Sequence, residues 1–223
     1  MPARAAIQSN ALWLMSERLI TLAISFAVTL AVARHLMPDA FGRLSLLIAL
    51  VALTGPLMAL GLNGLVTREV LLRPKQYPLI VGSSMAMRLV AGVLTSGLAF
   101  LVAANSLIGQ DLALFVLLVL SSVFNGFSVV DLWLQAQMAN RQGALLRIAV
   151  VSVFSLLRLV AVWADAGMPV FIYLLGLEFV VQGLLYLLVY HRLGGGVGEL
   201  RVSRAECRAL LGESRWLLLS GIA

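Results

Sequence analysis

Apolar residues run through this chain in long unbroken blocks separated by short polar stretches. Residues 11–32, 44–66, 79–103, 112–135, 143–164 and 170–190 form six such blocks. Each reaches the roughly 20 residues that carry an α-helix across a bilayer. None shows the alternation of a barrel strand, so helices are predicted. A seventh block opens near Trp216 and is cut at Ala223. The pattern predicts an all-α polytopic membrane protein. Six transmembrane helices form one lobe (1–190), a polar stretch (191–215) acts as a cytoplasmic linker, and 216–223 begins a seventh helix. A chain that stops inside an apolar run reads as the N-terminal part of a longer one. The first block is a full span with no small-residue cleavage site after it, so it is expected to stay as an anchor.

Composition narrows the class. The 223 residues are 61% hydrophobic and 12% charged. Soluble domains hold about 45–50% apolar and about 25% charged residues. A soluble enzyme, an extracellular module and a disordered chain are therefore excluded as classes. The net charge of +6 reads as basic loops at one membrane face rather than as a nucleic-acid surface. The single cysteine, Cys207, permits neither an internal disulfide nor a cysteine metal cluster.

Loop charge predicts the orientation. Arg4, Arg68, Arg73, Lys75, Arg141, Arg192, Arg201, Arg204, Arg208 and Arg215 fall on one side, and only Arg34 and Arg43 on the other. The N-terminus and the linker are therefore expected in the cytoplasm. Aromatic residues prefer the headgroup level. Trp13, Tyr77, Trp133, Tyr190 and Trp216 lie at predicted cytoplasmic ends, and Trp163 and Tyr173 at outer ends. Within the linker, the glycine-rich 191–198 reads as a flexible break. The apolar and basic residues of 202–211 have helical spacing and suit the membrane surface.

Charge inside a bilayer costs about 2.5–3.5 kcal/mol per residue or more, so charged positions within spans are the functional candidates. They are Glu17, Arg18, Arg88, Asp131, Arg147, Arg158 and Glu178. On helical spacing, Asn10, Glu17, Arg18, Thr21, Ser25 and Thr29 form one polar stripe on the first span. Ser84, Arg88, Gly92 and Thr95 share a face of the third. Asn125, Ser128, Asp131 and Gln135 lie toward one end of the fourth, and Glu178, Gln182 and Tyr186 line the sixth. Arg147 and Arg158, eleven residues apart, share a face of the fifth, about 16 Å from each other. These faces can converge on one cavity. Guanidinium forks suit phosphate oxygens, so Arg18, Arg88, Arg147 and Arg158 are candidates for an anionic headgroup. Glu17, Asp131 and Glu178 are candidates for ion coupling or ion pairs. Structural pairs Glu17–Arg18 and Arg88–Glu178, or snorkelling of Arg147 and Asp131, are the alternatives. Gly55 and Pro56, midway along the second span, are expected to kink it and to serve as a hinge.

Chemistry-bearing motifs are missing from the sequence. It contains no phosphate-binding Gly-x-x-x-x-Gly-Lys loop, no His-Glu-x-x-His helix and no Gly-x-Ser-x-Gly turn. His35 and His191 have no ligand companions at metal-binding spacing. No catalytic residue, metal or cofactor is expected, and an enzyme is not predicted.

Several segments in order carry a resemblance. Asn10 and Trp13 open the first span, and Ala-Arg-His-Leu-Met-Pro-Asp-Ala-Phe-Gly-Arg-Leu-Ser follows at 33–45. This resembles the Ala-Arg-x-Leu-Gly-Pro-Glu-x-Phe-Gly segment of bacterial polysaccharide repeat-unit flippases. These are the polysaccharide-transporter branch of the multidrug/oligosaccharidyl-lipid/polysaccharide exporter superfamily. Gly61-Leu62 with Arg68-Glu69 looks like the end of their second helix. Asp131-Leu-Trp-Leu-Gln-Ala (131–136) is similar to their fourth-helix Trp and Gln segment, and 206–223 to their lead-in to helix seven. Met37 stands where the family usually has glycine, which implies a tighter or less left-handed turn.

The resemblance implies a two-lobe fold of which this is the N-terminal lobe. It implies a flippase carrying undecaprenyl-diphosphate-linked oligosaccharide across the bacterial inner membrane by alternating access. The product would feed O-antigen, lipopolysaccharide or exopolysaccharide synthesis. Membrane lipids, a polysaccharide polymerase and chain-length machinery are the implied partners. Relatives use basic residues of the lumen for the headgroup, and Arg18, Arg88, Arg147 and Arg158 are the positions available here. Two alternatives stand beside it. A cation-coupled small-molecule exporter would place Glu17 and Glu178 at cation sites. A non-catalytic assembly subunit would need neither set.

Overall fold

The computed structural model describes residues 2–105, 107, 109–137, 140–193 and 196–220. Among these it is α-helical with short 3-10 turns and no strand. The helices are α1 (Pro2–Ala52), α2 (Thr54–Ala59), α3 (Leu62–Leu72), α4 (Tyr77–Ala103), α5 (Gln110–Ser122), α6 (Val129–Ala136), α7 (Asn140–Trp163), α8 (Met168–Arg192) and α9 (Arg204–Ser220). Five helical stretches are long and apolar enough to cross a membrane. The first, Met15–Leu72, is 58 residues long and holds the first two predicted spans. Apolar side chains of the spans face outward. Leu22 and Leu94 are each 68% exposed and Phe26 is 70% exposed, as expected of side chains that meet lipid.

The first two spans are divided at Met37. Its backbone lies at φ 62°, ψ 163°. Proline at 38 disfavours the helical region for the residue before it and supplies no N–H, so the helix must break there. Pro38 then opens the second arm, where a missing N–H costs nothing. The two arms fold against each other, with Val28 and Val32 of one beside Leu44 and Ile48 of the other. The expected less left-handed turn is thus corrected. Methionine adopts a backbone conformation that is essentially glycine's, because the proline and the packed arms on both sides dictate it.

Two apolar cores stack along the spans. One, at the Met37 end, gathers Val32, Leu44, Leu47, Phe115, Leu118, Phe171 and Ile172. The other, at the linker end, gathers Leu62, Val66, Ile80, Val81, Val130, Leu134, Tyr190 and Leu210. Trp133 belongs to the second core. It meets Tyr190 edge-on at 5.1 Å and Tyr77 at 5.9 Å. Trp133 is 5% exposed and Tyr190 fully buried, so these two close the end of the bundle instead of facing headgroups. Edge-to-face contact within a packed core outweighs the interfacial preference here. Trp163 and Tyr173 are exposed, as the sequence predicts.

Two spans are interrupted between the cores. The second changes direction at Leu60 and Gly61, consecutive left-handed residues at φ 51° and φ 65°. The same span also lapses for one residue at Leu53, between α1 and α2, and Pro56 sits in the first turn of α2. The fourth span carries a 3-10 segment, Val123–Ser128, between α5 and α6. It lies hard against α8, where a Cβ on Gly183 would come within 2.7 Å of the Phe124 carbonyl. The linker-end helix α9 packs on α3 and α4, burying Leu210 and Ser214. It runs unbroken through Trp216, where the sequence suggests a boundary. The Trp216 side chain and residues 221–223 lie outside the described part, as does the Asn10 side chain.

A salt-bridge clasp secures α9. Arg73 holds Glu206 of α9 at 2.6 Å and Glu69 at 2.8 Å. Hydrogen bonding to Glu206, opposed by partial burial, raises the guanidinium pKa above its ordinary value. Arg68 meets Glu213 at 3.6 Å. The Ser214 hydroxyl donates to the Leu60 carbonyl at the helix break.

Met37→Gly is expected to raise thermal stability by about 1 kcal/mol. Relief of about 1–3 kcal/mol of strain exceeds the roughly 0.5–1 kcal/mol entropic cost of glycine. Met37→Ala, which keeps the Cβ, is expected to give no gain. Unfolding curves in detergent check both.

Candidate functional site

Six of the seven intramembrane charges sort into three groups, and Arg18 stands apart from them. The first joins three spans. Arg147 of α7 donates through Nε and Nη2 to the two oxygens of Glu17, both at 3.1 Å, and through Nη1 to Asp131 of α6. The Gln135 amide donates to the other Asp131 oxygen at 3.0 Å. Tyr186 of α8 lies between Arg147 and Gln182. One guanidinium thus serves two carboxylates in a site where each side chain is 9–17% exposed. Gly143, one turn before Arg147, is required by this geometry, because a Cβ there would come within 2.5 Å of Asp131 Oδ1.

The second group is a pair. Arg158 of α7 donates to Glu178 of α8. Arg158 also borders a cavity of about 90 Å³ with Val28, Thr29 and Phe171. The two arginines of the fifth span share a face, as their spacing predicts, but serve different partners.

The third group centres on Arg88 of α4. This residue is 5% exposed and has no acid within ion-pair distance among the described residues. Its Nη1 donates to Ser128 Oγ at 3.1 Å and its Nη2 to Asn63 Oδ1, while Nε has no acceptor. Each partner stands beside an interruption. Asn63 follows the Leu60-Gly61 break, and Ser128 ends the 3-10 segment. In a 3-10 helix, residues three apart share an edge, so Asn125 lies on the Ser128 edge. Asn125 lines a cavity of about 250 Å³ with Gly55, Met58, Ser122, Leu175 and Phe179. A Cβ added at Gly55 would meet nothing within 4 Å. The guanidinium, with no acid partner among the described residues, therefore sits between two interrupted helices.

Glu17 and Arg18 do not pair, because consecutive helical positions point about 100° apart. Glu17 turns inward to Arg147, while Arg18 is exposed and has no acid partner among the described residues. Arg88 and Glu178 do not meet either. The candidates therefore do not form one ring. Asn63 was not legible as a site residue. The signal that could have found it is its position two residues after Gly61, since asparagine beside a helix break supplies an amide to a neighbouring span.

The fold and these groups define a polytopic α-helical membrane protein with charged side chains buried between its spans. A family model described as polysaccharide biosynthesis protein matches residues 7–223, and the chain belongs to that family. Comparison with curated proteins and with solved structures finds no match.

Arg147→Gln is expected to destabilise the protein by about 3–5 kcal/mol, because it leaves two buried carboxylates facing each other without a cation. Adding Glu17→Gln and Asp131→Asn is expected to recover most of that loss. Thermal unfolding of the single and triple variants measures the difference.

Proposed function

We propose that the protein moves undecaprenyl-diphosphate-linked oligosaccharide across the bacterial inner membrane for surface polysaccharide synthesis. It does so as a flippase working by alternating access, without a catalytic step of its own. Family membership supports the polysaccharide pathway. The observation that carries the finer reading is Arg88, a buried guanidinium held only by neutral acceptors. A diphosphate can replace Ser128 and Asn63 as acceptor and supply the missing partner for Nε, so the cation is left free for an anion. The paired carboxylates weigh against the cation-coupled exporter. Glu17, Asp131 and Glu178 are each engaged by an arginine, which leaves none of these three free for a coupling ion.

The interruptions supply the motion. Asn63 and Ser128 ride on segments that can shift at Leu60-Gly61 and along the 3-10 turn, so a change in either alters the grip on the anion. Arg18 is exposed on the first span and is a second free cation for the headgroup. The N-terminus and linker lie in the cytoplasm on this reading, as the loop charges indicate. Polymerase and chain-length proteins take the product on the outer side.

Disruption of the gene is expected to trap lipid-linked repeat units at the inner leaflet. Normal surface polysaccharide with no trapped intermediate contradicts the proposal. Arg88→Ala is expected to lower transport by about tenfold to a hundredfold, the worth of one or two charge-assisted hydrogen bonds. Its thermal stability is expected to stay at the wild-type level, because removing an uncompensated buried cation leaves no opposite charge behind. Wild-type export by this variant would remove the site assignment.

A further inference from the structure

The linker end of the bundle holds a second polar site, separate from the Arg88 group. A cavity of about 600 Å³ is lined by Lys75, Gln76, Pro78, Leu79, Gly198, Glu199 and Arg201. Its size is within the range of ligand sites, about 300–1,000 Å³. It lies where the spans Pro74–Ala103 and Met168–Arg192 end, and therefore at the membrane surface.

Its walls are held in place by backbone contacts. The Arg201 N–H donates to the Pro78 carbonyl at 3.4 Å, and the Ser203 N–H to Ser83 Oγ at 3.2 Å. The chain approaches α4 so closely that a Cβ on Gly82 would come within 2.5 Å of the Arg201 carbonyl. The Glu199 N–H closes the opposite wall by donating to the Gly196 carbonyl at 2.7 Å.

The charges of the lining are unspent. Nearby Arg73 and Arg68 are matched with Glu206 and Glu213. Lys75 and Arg201 have no acid within ion-pair distance among the described residues, although both line the same cavity. With Glu199 beside them the lining carries one positive charge in excess. That balance suits one monoanionic phosphodiester. Glu199 and Gln76 supply acceptors for hydroxyl groups carried on it. A zwitterionic headgroup gains less from a net positive wall, and a diphosphate would remain undercompensated.

We infer that this cavity binds the headgroup of an anionic phospholipid, of the phosphatidylglycerol kind, and so anchors the linker segment to the membrane surface. The site is independent of the transport reading, which stands or falls on Arg88.

The test is native mass spectrometry of the full chain released from membranes holding equal amounts of phosphatidylglycerol and phosphatidylethanolamine. The wild type is expected to retain phosphatidylglycerol in preference. Lys75→Gln and Arg201→Gln are each expected to lower that retention about fivefold, the effect of one basic side chain near an anionic surface. Glu199→Gln is expected to raise it. Arg204→Gln, outside the cavity, is expected to change it less than either cavity variant does. Equal retention of the two lipids overturns the inference. So does wild-type retention by the Lys75 and Arg201 variants, or a loss in Arg204→Gln as large as theirs, since a diffuse basic surface would then explain the binding.

Discussion

A guanidinium inside a hydrocarbon-thick layer must find an acceptor for its N–H groups, and the middle of this bundle is arranged around that demand. Two carboxylates, Glu17 and Asp131, hold Arg147, and the Gln135 amide donates to the second of them. One carboxylate holds Arg158. These contacts stitch α1, α6, α7 and α8 together at depths where water cannot help, and removing one partner strands the other. They are structural in that sense. Arg88 departs from the rule, being deeply buried with neutral partners and one N–H unmatched.

The departure coincides with the two places where helices fail. Continuous helices satisfy their own backbone groups and cannot easily shift. The second span breaks at Leu60-Gly61, and the fourth tightens to a 3-10 turn before Ser128. The apolar cores lie on either side of this zone. The α9 helix reaches the same zone from outside, because Ser214 donates to the carbonyl at the break. Its other end is clasped through Arg73 and Glu206. The α9 helix and the second span are therefore tied together at both places.

The spans were legible because bilayer thickness fixes a length and a composition that need no tertiary knowledge. The charged candidates were legible for the same reason, since each is expensive in place. Their partners were not. Glu17 and Arg147 are 130 residues apart, and helical spacing orders the faces of one helix without saying which neighbour each face meets. Asn63 escaped notice because a neutral amide carries no cost signal. Met37 misled, because the substitution for glycine suggests a changed turn, whereas Pro38 and the packed arms hold the glycine conformation. Trp133 and Tyr190 misled in a similar way. Position at a span end does not separate a headgroup-facing aromatic ring from one that seals the core.

The most direct measurement is a structure of the protein with an undecaprenyl-diphosphate-linked oligosaccharide bound. The diphosphate oxygens are expected on the Arg88 guanidinium, with Ser128 or Asn63 displaced and both Arg147 and Arg158 still on their carboxylates. A diphosphate held by Arg147 or Arg158, with Arg88 still bonded to Asn63 and Ser128, would contradict it.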